Sequence, residues 1–275
     1  MVLHNKTVLI PGASRPIGRA IAKQFGTQGA TLILPVFDWP ESIEEMKTEF
    51  EQLGFDFHVT EQDLRIESDV TSTVDLIKRT TGKLDHLINN IERGGMPVVH
   101  GSYDQPHNAG QWDVEIDTTL KAKWVLFHHC LPLLQKSPEG SVLNISSIAG
   151  ITGRSGPAAC FFNDGYSAAN KAVDSFTEQW ARECAPNIRV NGLVLGLIKS
   201  RHGENTRGWS VLSEDEKKQL HENILLNRTG SPDEVAETVY FLSVLATYIT
   251  GSIIKMDGGF SLGSMKVPPM PKGIL

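Results

Sequence analysis

Cysteine is scarce: Cys130, Cys160 and Cys184 are the only three in 275 residues. They are far apart and odd in number, which excludes a disulfide scaffold or a metal-binding spacing and implies free thiols in a reducing compartment. Cys160, in a loop-like stretch, has a second reading as a reactive thiol. Positive charge is short as well. Against 32 acidic side chains stand 26 Lys and Arg, a net charge of −6, so no basic excess exists to neutralise phosphates, and nucleic acid or an anionic membrane is excluded as the main partner. No run approaches the ~18 apolar residues of a membrane span. The opening MVLHNK passes into a strand pattern without a signal-peptide core. These absences predict a soluble, cytoplasmic protein whose partner is a small molecule. No metal is expected either: the adjacent His128 and His129 face different ways on a helix and read as packed or interface residues.

What is present is an alternation. The short apolar runs TVLI, TLILPVF, DFHVT, HLINN, SVLNIS, IRVNGLVLG and SIIKMDGG are separated by helix-period segments at 17–28, 42–53, 70–80, 113–134, 168–185 and 232–245. In the first of these, Ile17, Ala20, Ile21 and Phe25 share one face, and Arg19, Lys23 and Gln24 lie elsewhere. Strand and helix in strict turn predict an α/β fold, a doubly wound parallel sheet with helices on both faces. One Rossmann-like domain is expected over 1–262 with a lid at about 200–226, followed by a proline-rich tail, 263–275.

Between the first strand and first helix, PGASRPIG places Gly12, Ser14 and Gly18 where backbone N–H groups and a helix N-terminus receive a pyrophosphate, although such glycines also serve plain chain reversal. Other stretches decide. The glycine turn, Asp63-Leu64, GKLDHLINN, SVLNISSIAG, NKAVDSFT, IRVNGLVLGLIKS and NRTGSPDEVAETVYFLSVLATYITGSIIKMDGG together resemble the short-chain dehydrogenase/reductase family over almost the whole chain. The resemblance implies a nicotinamide cofactor bound by Gly12, Ser14, Arg15, Ile17, Gly18, Asp63, Asn89, Lys171 and Ser200. The family's T-G-x-x-x-G-x-G is altered: Pro11 stands for threonine and Pro16 for the middle glycine. Pro16 suits the first position of a helix but narrows the space for phosphates. Ile91 and Glu92 replace the last two residues of N-N-A-G, and Glu92 is expected to crowd or repel a dinucleotide. At the end of the second strand Val36 and Phe37 occupy the place of the acid that selects NAD, and Arg15 stands where NADP-preferring members carry a base. NADP(H) is therefore expected over NAD(H), with Asp38 the feature that favours the latter.

The resemblance also implies a tyrosine that exchanges a proton with the substrate oxygen, a lysine that favours its phenolate, a serine that steadies the substrate and an asparagine that supports the lysine through water. Ser147 and Lys171 align with the serine and lysine. Thr119 falls on the asparagine. Aligned from Lys171, the family's Y-x-x-x-K reads S-A-A-N-K, with Ser167 in the phenol's place and Tyr166 one residue early. Five helical steps leave two side chains roughly 140° apart. Either irregular backbone or a π-turn at the helix entrance brings Tyr166 beside Lys171, or the site lacks its acid. The first predicts an NAD(P)-dependent reductase or alcohol dehydrogenase. The second predicts a cofactor sensor or partner subunit. Beyond Ser200, the basic Arg201, His202 and Arg207, with Trp209, suit a lid over an anionic substrate. A homo-oligomer, a tetramer or dimer, is expected through the helices at 113–134 and 168–185.

Overall fold

The computed structural model describes residues 3–92, 106–153, 155–160, 162–200, 209, 212–265, 267–270 and 273. Seven strands, β1 (Thr7–Leu9), β2 (Thr31–Val36), β3 (Phe57–Glu61), β4 (His86–Asn89), β5 (Gly140–Ser147), β6 (Ile188–Leu195) and β7 (Ile253–Met256), form one sheet in the order β3-β2-β1-β4-β5-β6-β7. Every pairing is parallel. All seven apolar runs of the sequence are strands. The order reverses direction between β1 and β4, the place where an open parallel sheet leaves a crevice at its carboxyl edge.

Side chains alternate across the sheet with the period of a strand. Val8, Ile10, Leu32, Leu34, Leu143 and Ile145 enter one core. That core is completed by α1 (Pro16–Thr27), α2 (Pro40–Gln52) and α9 (Pro232–Tyr240). Leu9, Ile33, Leu87 and Val142 enter the other. Helices α3 (Glu67–Thr80), α5 (Ala122–Leu134) and α7 (Asp164–Cys184) cover that face. A third cluster gathers beyond the carboxyl ends of β5 and β6, joining Phe162, Tyr166, Leu197, Trp209, Leu212 and Phe260. The short α6 (Ala149–Thr152) and the charged α8 (Glu214–Asn223) border it.

The helix expected over 113–134 begins earlier, as α4 (Pro106–Glu115), and is interrupted by a π-helical stretch, Ile116–Lys121, before α5. A second π stretch, Phe241–Leu245, follows α9. Among the described residues no helix is long and apolar enough to cross a membrane. None of their His, Cys, Asp and Glu side chains gather in threes suited to a metal. Of the lid, Arg201, His202 and Arg207 lie outside the described residues, while Trp209 is buried against the ring of His221.

Candidate active site

The β1–α1 turn is built by its glycines. Gly12 has φ +70°, a conformation that a side chain strains. A Cβ on Gly18 would stand 2.4 Å from the Gly12 carbonyl oxygen and 2.8 Å from Asn90 Nδ2, so only glycine lets the helix close on the turn. Asn90 Nδ2 donates to the Pro11 carbonyl at 3.1 Å, which ties β4 to the same turn. Pro16 occupies the first helical position and leaves α1 regular. Asn90, not Asn89, therefore meets the glycine turn. Asn89 is fully buried, and its amide donates to Asn144 Oδ1 at 2.8 Å, inside the core. Its side chain is therefore engaged between β4 and β5.

At the far end of this crevice β2 finishes with buried Val36, and Asp38 and Trp39 both take left-handed backbone. The Arg15 guanidinium lies 4.4 Å from the centre of the Trp39 ring and donates to Ser42 Oγ at 3.3 Å. Asp63 is held from two sides by Arg65, with Nε at 2.8 Å and Nη2 at 2.5 Å. Arg65 also covers the Phe37 ring at 5.7 Å. Sequence reading passed over Arg65. Its signal was its position two residues after the expected aspartate at a strand end.

The other end is a shallow cleft, open to solvent, lined by Ile17, Glu92, Ser146, Ser147, Tyr166 and Ser200 together with the chain at 195–198. Strand β5 delivers Ser147, whose Oγ accepts from the Ala149 N–H at 3.2 Å. Helix α7 delivers Tyr166 in its first turn: Asn163 caps the helix, its side chain accepting from the Tyr166 N–H at 2.6 Å. Tyr166 is 2% exposed and packs on Phe162.

The lysine is elsewhere. α7 is regular from Asp164 onward, with no π-turn at its entrance. The side chain of Lys171 is 67% exposed, beside Asp174 at 3.4 Å, and lines no part of the cleft. Proximity of Tyr166 and Lys171 is thus corrected: five α-helical steps separate their directions, as the geometry of a straight helix requires. One turn beyond Tyr166 stands Asn170, fully buried, donating to the Tyr166 carbonyl at 3.0 Å. Reading the motif forward from Tyr166 would have found Asn170 in the lysine's place.

Thr119 is also drawn away from the role implied for it. It sits on the π stretch, fully buried, and donates to Glu115 at 3.3 Å. Gln111 donates to the same carboxylate at 3.2 Å. Burial raises the Glu115 pKa above the usual carboxylate range, and the charge of Glu92 adds to the shift. On the next turn, Lys123 is fully buried and donates to the Ile145 carbonyl at 2.7 Å. Burial lowers its pKa to about 8 against the opposing pull of Glu92.

A glycine-closed turn at the first crossover, a crevice at the sheet's reversal and a serine–tyrosine pair at its end define a dinucleotide-dependent oxidoreductase. The chain belongs to the short-chain dehydrogenase/reductase family, whose members are NAD(P)-dependent enzymes. A family model described as Enoyl-(Acyl carrier protein) reductase matches residues 12–261. Among curated relatives, the 3-oxoacyl-[acyl-carrier-protein] reductase of Aquifex aeolicus is 32% identical over 94% of this chain and 98% of its own. The enzyme of the same description from Thermotoga maritima is 31% identical over 94% and 99%. Among solved structures, a short-chain dehydrogenase/reductase from Brucella melitensis described as a glucose/ribitol dehydrogenase superposes with TM-score 0.78 at 27% identity, covering 94% of this chain and 99% of that one.

The residues present fit a dinucleotide at its nicotinamide end and at its pyrophosphate. Ser200 Oγ is a buried hydroxyl of the cleft with no hydrogen-bond partner among the described residues, suited to a carboxamide. The tight Gly12–Gly18 contact keeps the turn open to a pyrophosphate at the start of α1.

Proposed function

We propose that this protein is an NADP(H)-preferring reductase or alcohol dehydrogenase acting on a carbonyl or hydroxyl of a small molecule. The observation that carries the reading is the convergence of Ser147 and Tyr166 on one cleft at the sheet's carboxyl edge. Bound there, the cofactor supplies or accepts a hydride. The chain's own residues do the rest. Ser147 Oγ donates to the substrate oxygen and fixes its position. The Tyr166 phenol exchanges a proton with that oxygen. Phe162, Leu197 and Trp209, packed with Tyr166, keep water from the apolar side. Gly12, Ser14, Ile17 and Gly18 line the turn beneath the phosphates, and Ser200 holds the nicotinamide amide.

Preference for NADP(H) is supported by Arg15, braced between the Trp39 face and Ser42, with Arg65 nearby on Phe37 and no acid at the end of β2 before Asp38. The Arg15 guanidinium near the adenosine end favours an added phosphate. Asp63, clasped by Arg65, would hold the adenine. The relatives that reduce 3-oxoacyl groups make a 3-oxoacyl thioester the first substrate to try. We extend the reading to a cytoplasmic homo-oligomer joined through α5 and α7, where Trp124 is 46% exposed.

Asn170 in place of a lysine favours a second reading, a cofactor-binding protein without turnover. Titration of the purified chain with NADPH and NADH, followed by cofactor fluorescence, comes first. NADPH is expected to bind at least tenfold more tightly. Consumption of NADPH with a carbonyl panel then separates the readings: turnover supports the reductase, and binding with no turnover supports the sensor. Failure to bind either nucleotide at millimolar concentration overturns both.

A further inference from the structure

Two charged residues that no part of the proposed reaction uses are coupled at the cleft. Glu92 follows β4 and lines the cleft beside Ile17, Ser147 and Tyr166. Lys123 reaches in from α5, fully buried, to the carbonyl of Ile145, two residues before Ser147 in β5. β4 pairs with β5 only as far as Asn89 opposite Asn144, so the Ile145 carbonyl lies just past the last β4 partner. Lys123 satisfies it there.

An ammonium taken wholly out of water is costly unless a negative charge opposes it. Among the described residues Glu92 supplies that charge, opposing the desolvation of Lys123. The benefit is mutual. A carboxylate alone in this cleft would repel a dinucleotide, and a buried cation coupled to it offsets part of that field. The turn of α7 where a cation would otherwise enter holds Asn170, and Lys171 points to solvent. The buried positive charge thus arrives from α5, coupled to a carboxylate that lines the cleft.

A carboxylate is an acceptor with two oxygens and no donor, the natural complement of two adjacent hydroxyl groups. We propose that Glu92 binds the vicinal hydroxyls of the ribose attached to the redox ring, and that Lys123 is the positioning residue that anchors its charge there. This rests on the dinucleotide reading above. It makes Glu92, otherwise an obstacle in the cleft, a ligand.

The test uses the full chain and two probes, NADPH and 2′,5′-ADP, which carries the same adenosine phosphate but lacks the second ribose. Glu92→Gln keeps the shape and removes one acceptor and the charge. Calorimetric titration is expected to show NADPH weakened at least tenfold and 2′,5′-ADP altered less than twofold. Lys123→Met is expected to show the same split, with Lys123→Arg recovering part of the loss. Thermal melts establish that each variant is folded, and should Lys123→Met fail to fold, Glu92→Gln decides alone. A general structural role would weaken both probes equally, and that result overturns the inference. So does unchanged or tighter NADPH binding by Glu92→Gln, since tighter binding would mean Glu92 repels the cofactor. A wild-type chain that binds 2′,5′-ADP and NADPH, with a flat response to Glu92→Gln, sinks this inference and leaves the oxidoreductase reading standing. A wild-type chain that binds neither overturns both.

Discussion

A phenol is a weak acid at neutral pH, and at residue 166 it enters the cleft without an ammonium on its own helical face. Tyr166→Phe keeps the packing on Phe162 and removes only the hydroxyl. Turnover of a responsive carbonyl should fall by about 10²–10⁴-fold with NADPH affinity unchanged, the range expected for loss of a positioned proton donor. Steady-state rates beside a binding titration check this, and equal losses in both would assign the hydroxyl to cofactor binding instead. The sequence held Ser147 and Tyr166 in plain view, because a strand end and a helix start place them. It misdirected at Lys171, since a motif anchored on the wrong residue slips by one, and one helical step is about 100°. Arg65 and Lys123 went unread because their importance lies in what they touch. A lysine in an apolar helix carries no mark of its burial until Ile145 and Glu92 are seen around it.

Among the elements, the glycine turn was legible because its chemistry is local, and so were the seven strands. The helix boundaries at 106 and 164 were not. The start at 164 rests on the local cap of Asn163 and on a contact distant in sequence, Trp112 of α4 against Gly165, where an added Cβ would come within 3.2 Å of the Trp112 backbone. The π stretch at 116–121 was equally hidden, since its composition is that of an ordinary helix. α9 is a contrasting case, with its start written in sequence as Ser-Pro-Asp-Glu. Ser231 accepts from the Glu234 N–H at 3.2 Å, and Glu234 accepts from the Ser231 N–H at 2.8 Å. Ser231→Ala should cost about 1 kcal/mol, a drop of roughly 2–4 °C in Tm by differential scanning calorimetry. Because α9 packs on α1 in the same core, the loss belongs to the whole domain's melting, and a separate early transition would contradict that coupling.

For the molecule as a whole, stability is tied to one buried imidazole remote from the cleft. His86 is 3% exposed in β4, with Nδ1 2.8 Å from Ser141 Oγ, and burial pushes its pKa down to about 4. The folded pKa lies below the unfolded value of about 6.5, so between the two the unfolded chain binds the extra proton. The stability present above pH 6.5 is lost as pH falls toward 4. From pH 7 to pH 5 this amounts to about 2 kcal/mol, readable as a lower urea midpoint. His86→Leu should flatten that decline, and a profile as steep as wild type would assign the loss to carboxylates instead.

Helix α7 carries the phenol at its start and Trp180 about four turns later, with Trp180 stacked on Phe127 at 3.9 Å and on Phe176 at 5.0 Å. An unbroken rod of this kind has no joint in the roughly 20 Å between. Pressure on the aromatic end is passed along as tilt, and the hydroxyl swings by a matching amount. The proton donor is therefore aimed from the opposite end of its own lever, where Trp180 is held in the core between Phe127 and Phe176.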